Sequence, residues 1–143
     1  MNIDPKKYRL GNLLREVESK QIIEVIGLKK ETHTRTGFNE EIIKYENLIV
    51  EFSGSFPDGW QAEEILLTED LLLKIGFIKK DNDLWCCYCF DGFCLSSNFE
   101  LFLGNDSDLS YIKILTLSKL QNTYFELYSK ELDLSALEIQ PTP

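Results

Sequence analysis

The chain has 143 residues, enough for one domain with a single core. Hydrophobic residues make up 43% and charged residues 27%, a globular rather than a disordered composition, and the formal net charge of −9 disfavours a broad phosphate-binding surface. No apolar run reaches the length of a membrane span. The opening MNIDPKKYRLGNLL lacks the charged-then-apolar pattern of a secretory leader, so the expected location is the cytoplasm, with thiols reduced. The expected organisation is one compact domain over 1–143, with a β-rich part in 1–56 and a helix-hairpin-helix part in 57–139.

In chain order, Leu10-Gly11-Asn12 is a turn signal, followed by strand-like runs at Leu13–Val17 and Ile22–Leu28 with Ser19-Lys20 closing a hairpin between them. Lys29–Asn39 is polar, with Thr32, Thr34 and Thr36 alternating, and fits an exposed strand or a loop. Ile42-Ile43 and Leu48–Phe52 add further strand material. Short strands without long helices predict a small antiparallel barrel or curled sheet. Pro57-Asp58-Gly59 is turn chemistry. Thr68 caps a predicted helix of about two turns, with Glu69 and Asp70 in its first turn and Gly76 at its stop. Leu84–Phe90 and Phe93–Leu103 read as two strands joined by Asp91-Gly92, the preferred dipeptide of a two-residue hairpin. Leu117, Leu120, Tyr124, Leu127 and Tyr128 then share one face of a helix over about 117–130. The tail LEIQPTP reads as a frayed end. The fold class is therefore α+β: an N-terminal barrel-like sheet, then a hairpin sheet with two helices, the longer one C-terminal.

All four cysteines lie in LWCCYCFDGFCL. A two-residue turn at Asp91-Gly92 sets Phe90 opposite Phe93, Cys89 opposite Cys94 and Tyr88 opposite Leu95. One face then carries Cys86 with Tyr88, Phe90, Phe93 and Leu95, which is the core. The other carries Trp85, Cys87, Cys89 and Cys94 beside Ser96, Asn98 and Glu100. Cys86 points away from the other three, so a tetrahedral zinc set is disfavoured, and three thiols remain the weak candidate for a metal site. A Cys89–Cys94 cross-strand disulfide suits the geometry but is disfavoured in a reducing compartment. The favoured role for the thiols is as small, semi-buried apolar groups, with Cys86 the least reactive. Trp85 makes the same face a candidate interaction surface and admits self-association.

Other motifs carry less. NDSDLS lacks the glycine and terminal glutamate of a calcium loop, and His33, the only histidine, lies in a polar segment. YRLGNLL, LLTEDLLLKIGF and LSKLQNTYFELYSKELDL occur in that order, and together they resemble a group of small uncharacterised bacterial proteins of prophage and mobile-element regions. The shared pattern is R-x-G-N, L-T-E-E-x-L-L-K-x-G-F and L-Q-N-L-Y-F; here it falls on Arg9, Gly11 and Asn12, on Leu67–Phe77, and on Leu120–Leu132. The cysteine hairpin is not part of that pattern. Ser118 stands where such proteins commonly have histidine, and Lys130 replaces the usual glycine. The resemblance implies an architecture and a genomic context, and no activity. One or both of Gln121 and Asn122 are expected to bond backbone groups of a neighbouring strand and so fix the helix on the sheet.

The functional expectation is a non-enzymatic cytoplasmic accessory protein that binds another protein, with no catalytic residues, cofactor or membrane partner. The alternatives are a nucleic-acid-associated module using the N-terminal sheet, with Lys6, Lys7, Arg9, Arg15 and Lys20 nearby, and a thiol-dependent metal or redox protein.

Overall fold

The computed structural model describes residues 5–81, 86–103 and 112–141. Its elements are β1 (Leu13–Glu16), β2 (Ile22–Thr36), β3 (Ile42–Phe52), β4 (Ala62–Glu63), α1 (Glu69–Lys74), β5 (Ile78–Asp81), β6 (Cys86–Phe90), β7 (Phe93–Ser96), β8 (Leu101–Leu103) and α2 (Leu117–Tyr128). They form two antiparallel four-stranded sheets, ordered β3-β2-β1-β4 and β5-β6-β7-β8. The α+β class and the C-terminal position of the longer helix agree with the sequence reading.

The barrel does not form. β1 matches β2 over only three residue pairs and β4 over two, while β2 and β3 stay paired out to Thr36 and Ile42. β3 and β4 are thus the two edges of an open sheet. The segment 29–39, which fitted either strand or loop, is strand as far as Thr36, and Ile42–Phe52 is one strand rather than two.

β1 is the wall between two cores. Alternation sends Leu13 and Leu14 to opposite faces. Leu14 joins Tyr8, Ile23, Val25 and Phe52, with Phe56 and Trp60 packed beside them. Leu13 joins the larger cluster, where Phe77, Tyr88, Phe93 and Leu95 meet Leu117, Leu120 and Tyr124 of α2. Tyr124 lies 5.7 Å from Phe93 and 5.9 Å from Phe90, ring centre to ring centre, and so ties α2 to the second sheet.

Local chemistry sets the helix ends. Thr68 Oγ1 accepts from Leu71 N, and Thr116 Oγ1 accepts from Lys119 N. Gly76, at φ +107°, lets Phe77 N donate to Leu72 O and Phe77 turn into the core. On α2 the left-handed stop falls on Ser129, one residue before Lys130. Ser118 proves buried and Leu127 exposed, so the inner face is rotated toward Leu117, Ser118, Gln121 and Tyr124 relative to the predicted stripe.

Two further expectations are corrected. The predicted return strand Phe93–Leu103 is folded in two: Ser96 Oγ accepts from the amides of Asn98 and Glu100, and β8 turns back beside β7 with Leu101 opposite Leu95. The tail is not frayed through residue 141. Leu132, Leu134 and Leu137 are buried, Gln140 N donates to Ile22 O, and Gly54 N donates to Pro141 O. Among the described residues, no helix is long and apolar enough to cross a membrane.

Candidate functional site

The two longest strands, β2 and β3, form a largely exposed ribbon beyond the body. A β-bulge between Val25 and Gly27 marks its base. From Gly27 opposite Glu51 to Thr36 opposite Ile42, the two strands pair, among the described residues, only with each other. Ten residues of β2 in extended form reach roughly 34 Å. The side chains divide into two faces. Leu28, Val50, Lys30, Leu48, Thr32, Glu46, Thr34, Lys44, Thr36 and Ile42 share one; Lys29, Ile49, Glu31, Asn47, His33, Tyr45, Arg35 and Ile43 share the other.

Val50 packs on the smaller core and anchors the base. Farther out, cross-strand contacts hold the two strands of the ribbon together. His33 stacks on Tyr45 at 5.3 Å, Lys30 lies 3.9 Å from Glu46, and Ile43 fills the space a side chain at Gly37 would need. The tip carries Phe38, 94% exposed, and Ile42, 75% exposed. An isolated two-stranded ribbon is marginal in water. The exposed apolar side chains on this element make it the candidate contact surface. Sequence reasoning kept the strand option open for 29–39 but did not find the arm, because both its faces meet solvent and no buried alternation marks it.

The cysteine hairpin has the expected register. Asp91 and Gly92, both at positive φ, make the two-residue turn, and Phe90–Phe93, Cys89–Cys94, Tyr88–Leu95 and Cys87–Ser96 are opposite pairs. Cys86 packs against the larger core, while Cys87, Cys89 and Cys94 share the other face. Trp85, the fourth member of the predicted interaction face, lies outside the described residues.

The chemistry of the thiols differs from the expectation. Cys89 and Cys94 are joined in a disulfide, with Cα atoms 4.2 Å apart. Directly opposite residues of a close antiparallel pair sit near this spacing, so the register itself brings the sulfurs together. Cys87 Sγ lies 3.7 Å from Cys89 Sγ. Cys87 is also the more enclosed of the two free cysteines: it is 2% exposed, whereas Cys86 is half-buried at the start of β6. Burial pushes the Cys87 thiol up, opposed by the nearby Lys80 ammonium. By burial, Cys87 rather than Cys86 is therefore the more shielded free thiol. The disulfide also takes two of the three sulfurs that a metal on this face would need.

The third cluster joins the motif residues at the chain's two ends. The Gln121 side chain accepts from Leu13 N and donates to Gly11 O, each at 2.8 Å. Asn12 Nδ2 donates to Asn122 Oδ1 at 2.7 Å, and Asn12 Oδ1 accepts from Arg9 N. The Arg9 guanidinium pairs with both carboxylate oxygens of Glu131, donates to Gln121 O, and lies 4.3 Å from the centre of the Phe125 ring. These bonds hold α2 against β1 and the segment before it; Gln121 takes the expected backbone role, while Asn122 bonds the Asn12 side chain and the Lys7 carbonyl instead.

Beside this lock, a groove of about 480 Å³ runs past the first turn of α2, with Lys7, Lys113 and Lys119 facing Glu64 and Glu126. Ser118, the position singled out by the resemblance, donates to Glu64 Oε1 at 3.1 Å, and Tyr8 Oη donates to the same oxygen. The Ser118 hydroxyl is thus bonded to a carboxylate beside the helix start. No protein-family model, no curated protein and no solved structure matches the chain.

Proposed function

We propose that the protein is a non-enzymatic interaction module whose contact element is the β2–β3 ribbon. The carrying observation is the ribbon itself: ten consecutive cross-strand pairs project past the body, with apolar Leu28, Leu48, Ile42 and Phe38 exposed along one face and the tip. A protein surface suits it better than nucleic acid. Between Gly27 and Glu51 there are four basic and five acidic residues, so the arm offers no electrostatic attraction to phosphates. Alternating charges and apolar groups on an open strand edge instead suit another polypeptide, through backbone bonds and side-chain pockets together.

A photo-crosslinking residue placed at Thr34 on the ribbon, and separately at Lys74 on α1, tests this reading in cells. Protein adducts from Thr34 and none from Lys74 are expected. Nucleic-acid adducts from Thr34, or no adducts there at all, would overturn it.

A further inference from the structure

We infer that the β3 edge of the ribbon pairs with the β3 edge of a second copy of this chain, antiparallel and about a two-fold axis at Tyr45. This names the partner of the contact element proposed above and rests on that reading. β3 is the edge strand of its sheet, so among the described residues one side of Ile42–Val50 has no strand beside it. Unpaired strand edges are templates for further pairing.

The sequence of that edge is self-complementary in one two-fold register. Centred on Tyr45, antiparallel pairing sets Lys44 of each copy opposite Glu46 of the other, and Ile42 opposite Leu48. Ile43 meets Asn47, and the two Tyr45 rings meet at the axis. Centring on Lys44 or on Glu46 would instead put like charges face to face. Lys44, Glu46, Ile42 and Leu48 share one ribbon face, so the opposite-charge pairs and the apolar pairs would form together on one side of a four-stranded sheet. On the other face, the His33–Tyr45 stack of each copy would extend into a ladder of four rings. Ile42 and Leu48, now 75% and 41% exposed, would gain cover from each other. The ribbon's other free edge fits less well. Over Lys29–Thr36, β2 offers two adjacent lysines and no aliphatic side chain, a composition that discourages edge pairing.

Sedimentation velocity over a dilution series tests this. The parent chain is expected to pass from monomer to dimer as concentration rises. Lys44→Glu alone and Glu46→Lys alone should each weaken dimerisation by about tenfold or more, because two attractive cross-strand pairs become repulsive. The double exchange, Lys44→Glu with Glu46→Lys, should restore it, and mixing the two single variants should give a heterodimer. Circular dichroism confirms that each variant remains folded. A parent that stays monomeric throughout would overturn the second-copy partner; adducts to a different protein from Thr34 would then leave the interaction reading standing. A dimer indifferent to the charge exchanges would overturn the register.

Discussion

Replacing Gln121 by leucine should destabilise the protein through its backbone rather than its core. The side chain is 3% exposed and carries two bonds at once, accepting from Leu13 N and donating to Gly11 O. Leucine keeps the volume and leaves both backbone groups unpaired. Leu13 is buried, so its N–H would lose its partner in a place water does not reach, which costs about 1–3 kcal/mol. Gly11 is half-buried, so its carbonyl regains part of its bonding from water and adds less. The added apolar burial offsets a fraction, leaving a net loss of about 1–3 kcal/mol. Urea unfolding with an unchanged slope reads this directly. Gln121→Glu sharpens the test. The carboxylate can still accept from Leu13 N, but it faces the Gly11 carbonyl without a proton to give. Protonation restores the donor, so the penalty of this variant relative to the parent should shrink as pH falls. A Gln121→Leu loss below about 0.5 kcal/mol would show that α2 is held by apolar packing alone and that the polar lock is incidental.

Leu120 is fully buried, and Leu120→Ala should cost about 2–5 kcal/mol by lost burial plus a cavity; an unchanged melting temperature would contradict the packing of α2. In an oxidised sample, a thiol reagent should label Cys86 before Cys87 and leave Cys89 and Cys94 unlabelled until a reductant is added; early labelling of Cys87 would contradict the burial pattern. The Glu16 carboxyl lies below its ordinary value because it accepts from Ser19 N, and the Lys20 and Arg15 side chains hold Glu63 down in the same way. Each contributes stability that is present above the unfolded-state value and lost as pH falls through the lowered folded value. Glu16→Gln should therefore flatten the acid limb of a stability-against-pH curve, and an unchanged limb would show that the Ser19 contact contributes nothing.

Where one residue's chemistry was sufficient, the fold was legible in the sequence. Thr68 and Gly76 bound α1, and Asp91-Gly92 fixes a register that the structure reproduces pair by pair. The barrel was misjudged because strand-like runs reveal extended backbone but not how far each strand stays paired; the length of the β2–β3 match decides that, and it exceeds the β1 match severalfold. The fold of Phe93–Leu103 into two strands was missed because its cause is one hydroxyl, Ser96 Oγ, bonding two backbone amides. The docking of 131–141 was hidden by spacing: Leu132, Leu134 and Leu137 follow no regular period, yet each is buried. For the candidate site the reading was weakest. The alternating threonines at 32, 34 and 36 were visible, but a strand with two solvent faces has no apolar alternation to betray it.

Amide hydrogen exchange across the whole chain, compared between dilute purified protein and the same protein incubated in host extract supplemented with further copies of the chain, tests the central claim most directly. The ribbon's edge amides should exchange readily in dilute buffer, since few buried contacts hold that arm. In extract, protection should rise selectively within Gly27–Glu51 and stay constant in β1, α2 and the cysteine hairpin. Unchanged protection in the ribbon, with new protection beside the Lys7–Lys119 groove or over Cys87–Ser96 instead, would contradict the ribbon as the contact element.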